Sequence, residues 1–248
     1  MFVNMNEFTW LEREERKNEH MVYVLPISAL EQHGQHLPLG TDDFILQAVL
    51  RALCADPSLK TDYLCLPAIH YGCSWEHMDF IGTITIRSDT LLRIVEDIIS
   101  CAHCHGVKKL LIINSHGGNT AAIDSQIREW ERKYQIHIYF ISFFNGGFYQ
   151  EEFLPVDTPV ALDIHAGEIE TSVMMDQRPE LVRTDKISKD LDYCGGVEEF
   201  DIGWVSGAVN PGSGVIGAAS CASREKGRQI FAYMVDRIRK FLLSLEET

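Results

Sequence analysis

The chain has 248 residues, enough for one large domain or two small ones, and its 46% apolar and 23% charged composition suits a globular protein with a substantial core. With 22 Lys and Arg against 36 Asp and Glu, the formal charge is −14, which disfavours nucleic acid as a partner. No run of 18 apolar residues and no signal-peptide pattern occurs, so neither a membrane-spanning helix nor secretion is expected.

Seven cysteines at irregular spacing read as reduced thiols of a cytoplasmic protein. Residues 7–19 read as a charged surface helix. MVYVLPI (21–27) has the pattern of a buried strand, and it opens into ALEQHGQHLPLGTDD (29–43), a loop crowded with ionisable side chains. FILQAVLRALCA (44–55) is helical in period, with Asp42 or Asp43 placed to cap it. DYLCLPAIHYG (62–72) reads as strand then loop, and DFIGTITIRS (79–88) alternates like a strand or hairpin.

An amphipathic helix is expected over 89–105, followed by the clearest strand, KKLLIIN (108–114), then SHGGN and a helix over 120–133. QIHIYFISFF (135–144) is another buried strand. HAGEIETSVMM (165–175) passes from loop to helix, 183–220 is glycine-rich and irregular, and 224–245 is a strongly periodic closing helix. Strands alternating with helices predict an α/β fold, an α/β/α sandwich on a mainly parallel sheet, in a single domain over 1–248. Ligands of such sheets bind at the carboxyl ends of the strands, where both EQHGQH and SHGGN fall.

Glu31 and His33, at i and i+2 in irregular backbone, can face one region, and carboxylate with imidazole suits zinc, manganese or iron. Asp42 can fold back to join them, although capping alone would also explain it. His116 follows the best strand and precedes two glycines that permit close backbone approach. His165, Glu168 and Glu170 stand at a loop-to-helix junction, where dipole effects account for one acid but not for the whole set. Cys101 and Cys104, with His103 and His105, resemble a metal or redox motif but read better as core cysteines ending a helix. HYGCSWEHMD (70–79) contains His70, Trp75, Glu76 and His77 and can line a pocket. A nucleophile elbow and a glycine-rich phosphate loop after the first strand are both absent, which argues against a serine hydrolase and a nucleotide-binding module.

PISALEQHGQHLPLGTD, INSHGGN, HAGEIETS and GVIGAASCASREKG resemble, in order, the blocks of the creatininase (creatinine amidohydrolase) family, over about residues 20 to 230. The resemblance implies a site with two divalent metal ions, zinc first and manganese or iron as alternatives. It places Glu31, His33, Asp42 and His116 as ligands, Asp42 bridging, and His165 as catalytic. It also implies a homo-oligomer, a hexamer built from dimers, for which aromatics in FFNGGFYQEEF (143–153) are compatible surface. Creatininase proper has a further glutamate ligand where this chain has Gly118, so Glu168 is expected to complete the metal site and Glu170 to orient His165 or shuttle its proton. Creatininase also encloses its flat substrate with a tryptophan just before the catalytic histidine, whereas this chain reads PVALDIH.

The expected reaction is hydrolysis of a C–N bond in a cyclic or small linear amide, creatinine-like, by a metal-activated hydroxide. A formamide-cleaving or peptide-processing hydrolase on the same site, and a non-catalytic metal-binding protein, are the alternatives.

Overall fold

The computed structural model describes residues 1–17, 20–144, 147–188 and 209–246, so part of the glycine-rich stretch and Asn145–Gly146 lie outside the described residues. Its strands are β1 (Phe2–Asn4), β2 (Val22–Ile27), β3 (Tyr63–Cys65), β4 (Lys109–Asn114) and β5 (His137–Ser142). They form one parallel sheet in the order β1-β3-β2-β4-β5, with the two most apolar runs adjacent at its centre. The helices are α1 (Trp10–Glu15), α2 (Thr41–Cys54), α3 (Ser88–Cys104), α4 (Gly117–Tyr134), α5 (Glu168–Gln177) and α6 (Arg224–Glu246).

Period-two alternation along the central strands feeds two cores. Val22, Val24, Leu111 and Ile113 pack with Leu46, Val49 and Leu53 of α2, Val173 of α5, and Ile230, Met234 and Ile238 of α6. Tyr23, Leu25, Ile27, Leu110 and Ile112 pack on the other face with Leu91, Val95 and Ile99 of α3 and with Ile123 and Trp130 of α4. Helices therefore cover both faces, as the alternation of strand and helix predicts. Pro26 is tolerated within β2 because β3 ends at Cys65, and the Pro26 carbonyl instead accepts the Ile69 N–H at 3.0 Å.

Three local expectations fail. Residues 79–88 form no strand; they make one antiparallel bridge, Leu30 with Ile84, while Ile81 is fully exposed. Their alternating hydroxyls serve loops instead: Thr83 accepts the Gln32 N–H and Thr85 the Ser74 N–H. The amino-terminal helix is shorter than expected, because Met5–Glu7 form a separate 3-10 turn and a capping box between Thr9 and Glu12 starts the helix only at Trp10. Cys101 and Cys104 are exposed at the end of α3 and are not core residues.

Candidate metal centre and active site

β2 and β4 end in register, Ile27 opposite Asn114, so the loops leaving them start side by side. The first loop carries Glu31 and His33, and Gly34 turns it at a positive φ of 69°. That loop returns to α2, which begins at Thr41 with Gly40 at its N-cap, so Asp42 lies inside the first turn and is not the cap. The second loop is short. His116 stands at the N-cap position of α4, directly past β4.

These segments bring four of the expected residues together. Asp42 turns one oxygen toward His33 Nε2 and the other toward His116 Nδ1, both at 3.4 Å. Glu31 lies 3.2 Å from His116 Nδ1 and 4.0 Å from His33 Nε2. All four are buried, and Glu31 Oε2, His33 Nε2 and Asp42 Oδ2 have no hydrogen-bond partner. Leaving buried polar atoms unpaired is costly, so three such atoms facing one another imply a group that would satisfy them.

The outer ring nitrogens are both held by backbone. His33 Nδ1 donates to the backbone carbonyl of Glu31 at 3.2 Å, and His116 Nε2 donates to that of Cys73 at 2.8 Å. Each ring is thereby held with its other nitrogen aimed at the carboxylates, the arrangement that metal-ligating histidines use. Without an ion, burial opposes charge on both rings. Glu170 and Asp42 nevertheless push His33 well above the usual histidine value, and Glu31 and Asp42 do the same to His116. Burial alone would raise Glu31, but His116 and His77 hold it well below the usual carboxylate range. Cationic charge is what this cluster draws in.

The two glutamates of α5 separate. Glu170 Oε1 lies 3.6 Å from His33 Nε2, and its other oxygen accepts the Ala166 N–H at 2.6 Å. Glu168 is engaged elsewhere: it accepts the N–H groups of Asp157 and Thr158 and pairs with Lys226. The expectation that Glu168 completes the cluster is corrected by this geometry, because residues at i and i+2 leave a helix on nearly opposite sides. Donor groups able to hold an ion comprise Glu31, Asp42 and His116; His33, Asp42 and Glu170; and Glu31, His33 and His165. Asp42 belongs to two of them.

His165 stands beside the cluster, buried, with Nδ1 3.7 Å from Glu31 and Nε2 donating to the Gln32 backbone carbonyl at 2.8 Å. Burial, with His77 and His33 nearby, lowers its pKa well below the usual value, so the ring is neutral. Ala166 follows it at a positive φ of 52°, unusual for a residue with a Cβ, and this turn starts α5.

The 70–79 run does line the site, through Glu76 and His77, although the contact of His77 with Glu31 and the part played by Asp163 were not anticipated. His77 donates from Nε2 toward Glu31 at 3.3 Å, and its Nδ1 accepts from Gln32 Nε2 at 3.1 Å. Asp163 accepts the Glu168 and Ile169 N–H groups, both at 2.7 Å, and burial raises its pKa to about 6. Asp43 receives His70 Nδ1 at 3.0 Å, away from the cluster. Among the signals available, only the HYGCSWEHMD run pointed toward His77.

A cavity of about 600 Å³ opens over the cluster, walled by Glu76, Phe143, Phe144, Tyr149, Val160, Ala161 and Ile164. Phe143 is buried and Phe144 and Tyr149 are partly so, which puts these three aromatics in the cavity wall, whereas Phe153 of the same stretch is exposed. Position 118, the place of an additional glutamate in creatininase proper, lies at the cavity edge. A Cβ there would collide with the Cys73 carbonyl and sit 2.6 Å from His116 Nε2, so only glycine fits.

A family profile for creatininase, described as creatinine amidohydrolase, matches residues 6–242. The chain belongs to the creatininase family. Among its relatives is the mycofactocin precursor peptide peptidase of Mycobacterium ulcerans, 33% identical over 220 residues, 86% of this chain and 81% of that one. Another is the creatinine amidohydrolase of Pseudomonas putida, 30% identical over 95% of this chain and 94% of that one. A solved manganese form of creatininase superposes with a TM-score of 0.77 at 27% identity, covering 98% of this chain and 99% of that one. The protein is accordingly a metal-dependent amidohydrolase of the creatininase family, with that family's parallel sheet and flanking helices. Among the described residues, no helix is long and apolar enough to cross a membrane.

Proposed function

We propose that the protein hydrolyses the C–N bond of a linear amide larger than a single small ring, such as a short peptide, using two divalent ions. Glu31, Asp42 and His116 would hold one ion, and His33, Asp42 and Glu170 the other. The observation that carries this is the division of Asp42 between His33 and His116, with unpaired buried atoms on three sides. Zinc is the first candidate on donor chemistry, and manganese is named for a solved relative.

Ions bound there would polarise an amide carbonyl and lower the pKa of water toward neutrality. The remaining steps belong to the chain. His165 Nε2–H is committed to the Gln32 carbonyl, so Nδ1 is the nitrogen open to accept a proton from the attacking water. Amine nitrogen leaves poorly unless protonated, and His165 Nδ1–H returns that proton to it as the C–N bond breaks. Glu31 Oε1, 3.7 Å from Nδ1, stabilises the imidazolium between the two transfers. Gln32 holds both His77 and His165 in orientation.

Substrate size follows from the cavity. An apolar cavity of about 150 Å³ already holds one benzene ring, and this one is about 600 Å³. Its walls are largely apolar and aromatic apart from the cluster, and the segment 159–165 has no tryptophan to close over a flat ring. The identity to the mycobacterial peptidase agrees with a peptide-like substrate. A creatinine-sized amide is the second reading, favoured by the match across 94% of the Pseudomonas enzyme. Homo-oligomerisation forms part of the proposal, to be read from light scattering.

The test is a metal-replete hydrolysis panel of creatinine, a formamidopyrimidine and short peptides, with metal content measured on the same sample. Peptide turnover exceeding that of the small rings is expected. Efficient creatinine hydrolysis without peptide cleavage would transfer the case to the second reading, and absence of bound metal would end both.

A further inference from the structure

Glu168 opens α5 fully buried, yet its carboxylate faces away from the ligand cluster. Its oxygens accept the N–H of Asp157 at 3.0 Å and of Thr158 at 2.8 Å, and they pair with Lys226 Nζ from α6. Lys226 also pairs with Asp157 Oδ2 and donates to the Cys221 carbonyl, both at 2.7 Å. A buried ion pair is weak evidence of net stabilisation, because desolvating both charges offsets their attraction. What it does determine is placement.

The placed segment is a cavity wall. Beyond Thr158 the chain runs through Val160, Ala161, Asp163 and Ile164, which line the cavity, and then reaches His165. It is stapled to α5 twice: Glu168 grips the N–H groups at 157 and 158, and Asp163 grips those of Glu168 and Ile169. Glu168 is thus the joint between the wall, α5 and α6.

We propose that Glu168 and Lys226 are positioning residues for substrate: their ion pair clamps segment 157–165 against α5 and fixes the wall that contacts the part of an amide remote from the scissile bond. The substrate half of this inference rests on the proposed function; the clamp itself does not.

The test uses Lys226→Met and Glu168→Gln in the full-length, metal-loaded protein. Metal content is expected to stay unchanged while amide hydrogen exchange at Asp157 and Thr158 accelerates. For a short peptide, KM should rise roughly tenfold with kcat within about twofold, whereas KM for creatinine or another small amide should barely move. Lys226→Arg should recover most of the peptide KM, and the double variant should be no worse than the poorer single one.

Loss of a metal equivalent in Glu168→Gln but not in Lys226→Met would make Glu168 a ligand and overturn the clamp. Unchanged exchange at 157 and 158, or equal KM rises for small and large amides, would overturn it too. If no amide is hydrolysed even by the unmodified protein, the functional reading fails, and metal content with hydrogen exchange still decides the clamp. Circular dichroism identifies a variant that does not fold; Lys226→Met and Glu168→Gln each break the pair, so the one that folds carries the comparison against Lys226→Arg.

Discussion

Nε2 of His165 lies 2.8 Å from the backbone carbonyl of Gln32, and that contact fixes which ring nitrogen can react. With Nε2–H donated, Nδ1 is left facing Glu31 as a proton acceptor. His165→Ala should therefore retain its metal while kcat falls by roughly 10²–10⁴-fold, the usual worth of a positioned acid–base group. Elemental analysis beside steady-state kinetics checks both parts. Turnover close to that of the unmodified protein would remove His165 from the mechanism, and loss of an ion would recast it as a ligand.

The carboxylates should separate by stoichiometry. Asp42→Asn is expected to lose both ions, because its two oxygens face His33 and His116 separately. Glu170→Gln should lose one, the ion facing His33. Plasma emission spectroscopy after dialysis distinguishes these outcomes. Two ions retained by Asp42→Asn would exclude the bridging role.

Chelation should destabilise the fold, since it strips cations from a buried group of carboxylates and imidazoles. An ion present at 100 times its Kd stabilises by about 2.7 kcal/mol. For a chain of this size, that corresponds to a Tm lower by roughly 5–10 °C after removal. Differential scanning calorimetry with and without chelator measures it, and an unchanged Tm in demonstrably metal-free protein would contradict the buried placement.

His36 supplies a further pH dependence. Burial, followed by the neighbouring His33, lowers its pKa to about 4, and its Nε2 lies 2.8 Å from the Thr171 hydroxyl. A depressed value means stability present above the unfolded value of 6.5 and lost as pH falls toward about 4. At about 1.4 kcal/mol per pH unit, the contribution at stake is roughly 3 kcal/mol. Denaturant unfolding of His36→Gln beside the unmodified protein, from pH 7 to pH 4, should show the unmodified protein losing more. Parallel curves would show that His36 is protonated without penalty.

Much of this was legible in the sequence, and the gaps have physical causes. MVYVLPI and KKLLIIN are apolar because both faces of the sheet are covered, and the same fact placed Glu31, His33 and His116 at neighbouring strand ends. Spacing could also have said that Glu168 and Glu170 diverge, because two residues advance a helix by about 200°. It could not say which one faces the cluster, since that depends on α6 supplying Lys226 from 58 residues away. His77 was missed as a partner of Glu31 because a short 3-10 turn carries no hydrophobic period to orient it. Residues 79–88 alternate as a strand does, but their hydroxyls are spent on loop N–H groups, and among the described residues their one bridge is that of Ile84 with Leu30.

The crowding at Gly118 also bears on His116. The Cys73 carbonyl that would meet a side chain at 118 is the same oxygen that holds His116 in place. A glutamate at 118 in this chain would therefore have to displace the Cys73 carbonyl, and with it the hydrogen bond that orients His116.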